Sequence, residues 1–414
     1  MQLTKDEQKM LDGGYGKGFQ KAMSVLVKMG EFYDAKRLIP VNMAFLTLGP
    51  SPAKPAQAPL WLKWLADNGA SYKCPLAMSP LMGDINKDQD VHYRLKGVFG
   101  IGGSGHPRNL FTRPVFGQHL VADGTAVTHY CNSYIGARAN TECFIGQYSA
   151  AIVGKTPEYG FHLTENRLGK TLFNVKVELK DETDWSVLGY YISKELGTHY
   201  WDVPVINGVD PSKVSDDDLV AICSTIPAYG AVVHSLLVGI SPEALTLEQA
   251  FGGKKPIETY TVGPKEMQSV YDTFSTKKSV PDMVSIGGFG VNVSVENMYK
   301  LDKLMEGKKV STKFPTVVLV DGPVKQVCDK VGITDRLKKT GIGIGLEDYL
   351  KTKQGVTGSD FSNNPVTAAK RLGLNTLVFF DAKSCHYIGN QEIEPVLKNL
   401  EDCVKIAVSG KIEG

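Results

Sequence analysis

The chain has 414 residues, 42% of them apolar and 22% charged, the balance of a soluble globular protein with room for two or three domains. Its 46 basic and 44 acidic side chains leave a formal charge of +2, which supplies no field for gathering nucleic acid or a lipid surface, and no basic run is interleaved with aromatics. No apolar run nears the ~20 residues that span a bilayer, the opening MQLTKDEQKML is charged and lacks the apolar stretch of a secretory signal, and seven scattered cysteines predict reduced thiols in a cytoplasmic protein.

In chain order, Thr4-Lys5-Asp6-Glu7 forms a capping box and predicts a short helix ending at Gly13-Gly14. Phe19, Ala22, Met23, Leu26 and Val27 recur at helical spacing and predict an amphipathic helix to about Gly30. Leu38 to Leu48 reads as a buried strand and Pro59 to Asn68 as a helix, with a proline- and alanine-rich loop between them. Four glycines in Val98 to Gly105 fit either a phosphate-cradling loop or a tight turn between two close backbones; the spacing is neither GxGxxG nor a Walker pattern. Leu172 to Leu179 alternates as a strand and Trp185 to Glu195 is helical in pattern. Ala231 to Ile240 is a near-continuous apolar run, expected to be a strand covered on both faces, with His234 as a core histidine.

From Pro281 the pattern alternates. Strands are predicted at Met283 to Ile286, Thr316 to Asp321 and Asn375 to Asp381, and helices at Val295 to Gly307, Val324 to Val331 and, terminally, Ile393 to Val408. Such alternation predicts α/β architecture with parallel sheets, whose ligands collect at the carboxyl ends of strands, here the Asp321-Gly322 and Asp381 to Tyr387 loops. The expected domains are 1–170, carrying the main polar site, 171–280, and 281–414.

That polar site is the stretch Gly117 to Arg167. Asn132, Ser133, Arg138, Asn140, Lys155, His162, Asn166 and Arg167 stand there among glycines and small residues, and each needs a partner if buried. A pocket for an anionic, oxygen-rich small molecule uses them all. Arg138 and Arg167 can each hold a carboxylate or phosphate by two parallel hydrogen bonds, the competing arrangement being an ion pair with Asp123, Glu142 or Glu165. Lys155, in Gly154-Lys155-Thr156-Pro157, either aims an amine inward or lies solvated on a loop.

Read together, several segments resemble the large subunit of aconitase X, a branch of the aconitase superfamily, over nearly the whole chain. They are Met10-Leu11-Asp12-Gly13 with Gln20-Lys21-Ala22-Met23; Gly117, His119, Asn132-Ser133, Gly136-Ala137-Arg138 and Asn140; Gly154 to Gly160 with His162-Leu163 and Asn166-Arg167; Pro204-Val205-Ile206; Pro242-Glu243-Ala244; and Ala382-Lys383 with His386-Tyr387. The resemblance implies an α/β fold of three α/β/α layered units with mainly parallel sheets around a central cleft, completed by a small swivelling subunit on a separate chain. It implies a lyase that dehydrates small hydroxylated acids, among them mevalonate 5-phosphate and cis-3-hydroxyproline. It also implies an iron–sulfur cluster on three cysteines, whose open iron polarises the leaving hydroxyl.

The cysteines depart from that pattern. The family's Thr-Cys-x-Pro-Tyr falls on Ser104-Gly105-His106-Pro107-Arg108, and its Gly-Cys-Pro-His on Gly287-Gly288-Phe289-Gly290. Gly105 and Gly288 therefore stand at lost ligand positions, and the third, between Asp335 and Asp348, has no cysteine at all. No cluster and no other cofactor is expected, since no soft ligand replaces the thiolates. The loss is expected to leave room for a larger substrate, another cofactor, or a new group such as His106 or Arg108. A divalent metal on His106, His119 and Asp123 is an alternative. Without a cluster the resemblance points to His106, His119, His162, Lys383 and His386 for proton transfer and charge stabilisation, and to Ser104, Arg108, Asp123, Asn132, Ser133, Arg138, Asn140, Lys155 and Arg167 for holding a small anionic substrate. The chain is thus expected to be a cluster-independent lyase; the alternative is a catalytically silent subunit that binds a small molecule or an active partner.

Overall fold

A computed structural model of the chain describes residues 1–48, 58–80, 95, 99–100, 113–122, 124–197, 199–288, 293–320, 322–345, 369–389 and 393–412. They form two units: Met1–Phe173 with Tyr200–Asn207 and Val232–Tyr260, and Asn174–His199 with Gly208–Ala231 and Thr261–Gly414. Among the described residues no helix is long and apolar enough to cross a membrane.

In the first unit Thr4 caps the helix Lys5–Leu11 with both arms of the capping box in place. The helix Lys17–Phe32 buries Phe19, Ala22, Met23 and Leu26 along one side. The apolar stretch that follows is two strands where the pattern predicts one. Leu38–Pro40 pairs antiparallel with Lys155–Pro157, and Met43–Leu48 joins another sheet. Pro40 ends the first strand because it has no N–H for a ladder. The second sheet runs Phe99–Gly100, Leu76–Pro80, Met43–Leu48, Leu120–Ala122, with all neighbours parallel. Leu26, Ala44, Leu46, Leu76, Val121 and Tyr148 share its core with the covering helices.

A further sheet orders Glu258–Val262, Thr171–Val175, Pro204–Asn207 and Leu236–Leu237. Of the expected strand over Ala231 to Ile240, only Leu236–Leu237 pairs with a neighbour. The Val233 carbonyl and the Ser235 N–H are satisfied instead by the side chains of Asn132 and Ser133, so the segment needs no flanking strand.

The second unit holds a five-stranded parallel sheet ordered Gly343–Ile344, Thr316–Val318, Met283–Ile286, Thr376–Phe379, Glu394–Leu397. The chain winds from Met283–Ile286 outward to one edge, then crosses back to Thr376–Phe379 and continues to the other. The order therefore reverses between those two central strands. Right-handed crossovers then put the helices leaving them on opposite faces. Val295–Leu304 packs against Leu400–Ser409, while Ala382–Gly389 packs against Glu182–Leu196 and Asp216–Gly230.

The expected terminal helix over Ile393 to Val408 is corrected to the strand Glu394–Leu397 and the helix Leu400–Ser409. Pro395 is unsuited to a helix interior, and the Asn399 side chain accepts the Asp402 N–H to start the helix there.

Candidate functional site

In the first unit the helix Thr125–Tyr130 runs into a π-helical turn, Cys131–Ile135, closed by Gly136 at φ 71°. The wider turn carries Asn132 and Ser133 into the interior. Asn132 Nδ2 donates to the carbonyls of Ala139 (2.9 Å) and Val233 (2.8 Å), and its Oδ1 accepts the Ala139 N–H. Ser133 Oγ accepts the Ser235 N–H, and Asn140 clamps the Tyr159 carbonyl and the Phe161 N–H. These three residues brace segments distant in sequence. The amides of Asn132 and Asn140 bond backbone groups, which corrects their expected use in holding a substrate.

Arg167 is corrected in the same way. Its guanidinium is buried and all five N–H groups are engaged: Nε and Nη2 on Glu243, Nη2 also on the Asn132 carbonyl, Nη1 on the Phe161 carbonyl and Asn132 Oδ1. The counter-ion is Glu243, 76 residues away, and neither Glu142 nor Glu165. Lys155 is also committed, its Nζ 2.6 Å from Glu7 Oε1; no amine there is aimed at a ligand. His234, fully buried, bonds the Arg167 carbonyl at 3.3 Å, as a core histidine should.

Arg138 differs. Its Nη1 donates to the His162 carbonyl and its Nη2 to Thr164 Oγ1, both at 2.9 Å. Its other three N–H groups have no partner among the described residues. A half-exposed guanidinium held at two corners is a receptor for an oxyanion.

His119 lies beside it, pairing in a parallel bridge with Arg138 and anchored through its N–H to Asn42 Oδ1 at 2.9 Å. His119 Nδ1 is 3.0 Å from His162 Nδ1. One nitrogen must donate and the other accept. His162 is buried and its Nε2 has no partner. An orphaned N–H is costlier to bury than an orphaned lone pair, so we place the His162 hydrogen on Nδ1, donating to His119. That leaves the His119 hydrogen on Nε2, at the half-exposed end of the pair. Charging His119 would force the His162 hydrogen onto its buried Nε2, at about 1–3 kcal/mol. Burial, aided by the positive Arg138, holds His119 below the usual imidazole range; burial, then His119, Arg167 and Arg138, holds His162 well below it.

Glu142 was not foreseen as a site residue. It is buried, its Oε1 takes the Thr156 hydroxyl at 3.0 Å, and its Oε2 has no hydrogen-bond partner. Burial pushes its carboxyl up to about 7 against the hydrogen bonds from Thr156 and Tyr159.

In the second unit Lys383 and His386 stand on the helix Ala382–Gly389. Lys383 is 6% exposed, with Nζ 5.7 Å over the Tyr387 ring, and burial brings its ammonium down to about 8. His386 sits among the rings of Tyr190 and Tyr229, lowered by burial. Asp381 precedes this helix, its Oδ1 accepting the Ser384 N–H at 2.7 Å, and burial pushes its carboxyl up to about 6.

Gly288 ends the turn after Met283–Ile286. A Cβ built there would overlap the Ser384 hydroxyl and stand 3.0 Å from Asp381 Oδ2. The expectation of vacated room is corrected at this position, where Ser384 and Asp381 fill it. The described residues do not fit an iron–sulfur cluster. Gly288 offers neither a donor nor space for one, and among the described residues no three His, Cys, Asp or Glu side chains converge as a metal site. Cys131 and Cys385 are buried, with thiols raised by burial, Cys131 to about 12. The segment Asp335 to Gly345 is the helix Ile333–Lys339 and the edge strand Gly343–Ile344. Ser104, Gly105, His106, Arg108 and Asp123 lie outside the described residues.

The fold has known counterparts. The family model for the aconitase X first domain matches residues 1–97 and 103–165, and that for the aconitase X second domain matches residues 169–272. The chain is 32% identical to the phosphomevalonate dehydratase large subunit of Thermococcus kodakarensis over 82% of this chain and 86% of that one. It is 24% identical to the cis-3-hydroxy-L-proline dehydratase of Hypocrea jecorina over 83% of this chain and 60% of that one. The crystal structure of Thermococcus kodakaraensis aconitase X in its holo-form superposes with a TM-score of 0.82 at 28% identity, covering 98% of this chain and 100% of that one. The chain belongs to the aconitase X family and is an enzyme of the lyase class.

Proposed function

We propose that this chain is the large subunit of a dehydratase that removes water from a small hydroxylated acid, with mevalonate 5-phosphate ahead of cis-3-hydroxyproline, and that it does so with protein side chains in place of an iron–sulfur cluster. The substrate class is supported by the named relatives: two phosphomevalonate dehydratase large subunits are 32% and 31% identical, against 24% and 25% for two hydroxyproline enzymes. Their designation as large subunits supports a separate small subunit as partner.

The observation that carries a working site is the trio Arg138, His119 and His162. Arg138 has donors left for a carboxylate or phosphate. His119, oriented by a buried imidazole at 3.0 Å, offers a neutral N–H to an oxygen that gains charge as the reaction proceeds. In dehydration a C–H bond breaks, its proton passes to a base, its electron pair forms the C=C bond, and the hydroxyl leaves as water with a proton from an acid. The trio binds and polarises, and the proton steps need a titratable acid and base besides.

The test is to purify the chain with its small subunit, remove iron with a chelator, and follow mevalonate 5-phosphate by nuclear magnetic resonance. Loss of its hydroxyl carbon signal at substoichiometric iron is the expected result. Activity that appears only after reconstitution with iron and sulfide, with the absorbance of a cluster, would defeat the cluster-independent reading. The silent-subunit alternative draws on the closed position at Gly288 and predicts binding without turnover.

A further inference from the structure

The five-stranded sheet reverses direction between Met283–Ile286 and Thr376–Phe379, and in such sheets the crevice beyond the carboxyl ends of the two strands is the place for a ligand. Gly287-Gly288 and Asp381 are the residues at those two ends. The Asp381 segment is rigidly held: the Phe380 carbonyl accepts from Thr183 Oγ1 at 2.7 Å, and the Ala382 N–H donates to Ser186 Oγ at 2.7 Å. Asp381 Oδ1 is tied to the Ser384 N–H, while Oδ2 is buried with no hydrogen-bond partner and points toward the missing side chain of Gly288. Two residues on, the buried Lys383 ammonium has no hydrogen-bond acceptor among the described residues. A carboxylate oxygen without a hydrogen-bond partner and an ammonium without an acceptor, both buried two residues apart in the chain, carry a desolvation cost that a ligand bearing both a donor and an acceptor relieves.

We infer that Asp381 and Lys383 are a catalytic acid–base pair at this switch point. The inference rests on the dehydratase reading above. Asp381 Oδ2 takes the proton from the carbon beside the substrate's acid group as the electron pair forms the double bond. Lys383 gives a proton to the departing hydroxyl, which leaves as water. The pair, now a neutral acid beside a neutral amine, restores itself by passing the proton from Asp381 to Lys383, so each turnover is balanced without outside acid or base.

Asp381→Asn is the sharpest test, because asparagine caps a helix as well as aspartate does and the fold is kept. In the complex with the small subunit, assayed on mevalonate 5-phosphate, the variant is expected to melt with wild-type protein and hold KM within a few-fold. Its kcat should fall by about 10²–10⁴-fold, and the pH–rate profile should lose its acidic limb. Lys383→Gln is expected to lose kcat and the alkaline limb. Wild-type kcat in Asp381→Asn overturns the inference and leaves the dehydratase reading standing. A wild-type complex that dehydrates cis-3-hydroxyproline alone overturns the choice of substrate, and the same variants on that acid decide the pair. No turnover of either acid by the wild-type complex overturns both.

Discussion

Two arginines of one polar stretch, alike in sequence, divide the work. Arg167 is saturated by Glu243 and by the backbone it holds together. Arg167→Lys cannot reproduce that fork, and a misfitted cation buried at the site beside the partly exposed Glu243 is expected to cost about 3–5 kcal/mol in chemical denaturation. Arg138→Lys should unfold like wild type and raise KM by tenfold or more, since the loss is of a bidentate anion receptor. The reverse pattern in the two variants would exchange their roles. For the histidine pair, His162→Phe removes the hydrogen bond that orients His119 while keeping the site apolar. It is expected to lower kcat about 10-fold to 100-fold with little change in KM, and an unaltered kcat would remove His162 from the chemistry.

At the scale of elements, the π-helical turn at Cys131–Ile135 is held where it is by partners far away in sequence. Asn132→Ala would orphan the Val233 carbonyl, the Ala139 N–H and part of the Arg167 contacts at once. A loss of about 2–4 kcal/mol in thermal unfolding is expected, above the usual ~1 kcal/mol for a single hydrogen bond. The helix Asp216–Gly230 provides the contrast. Its capping box rests on Ser215 and Asp218 alone, so Ser215→Ala should cost only about 1 kcal/mol. Capping is local and its effect is bounded; the turn at Asn132 joins three segments.

Over the whole molecule, buried titratable groups set the response to pH. His129, His162 and His234 are buried in the first unit with imidazoles held below their ordinary range by burial, His129 to about 3. A histidine lowered in the folded state binds its proton first in the unfolded chain, so stability falls as pH drops from about 6.5 toward the folded value, by up to about 1.4 kcal/mol per pH unit per group. Glu142 and Asp381 act in the opposite sense: carboxyls raised to about 7 and about 6 contribute most below the unfolded carboxylate range and lose that contribution as pH rises through those values. In the first unit four histidines, the half-exposed His119 among them, oppose one carboxyl. Peptides of that unit are therefore expected to gain deuterium faster than those of the second between pH 6.5 and pH 4.5, after correction for intrinsic exchange. Equal loss of protection in both units would contradict this.

The sequence by itself determined the alternation of strands and helices after Pro281, the capping box at Thr4 and the family, because local hydrogen bonding and the period of apolar residues need no distant partner. It also marked the polar stretch in which Arg138, His119 and His162 come together, though not their pairing. Tertiary structure alone decided which polar side chains are free for a ligand. Arg167 met Glu243, Lys155 met Glu7, and Asn132 met Val233, all across separations that no spacing rule spans. It also filled the hollow at Gly288 with Ser384 and left one oxygen of Asp381 without a partner. A residue's type sets what it can bond; whether that capacity is already spent depends on which segments the fold brings against it.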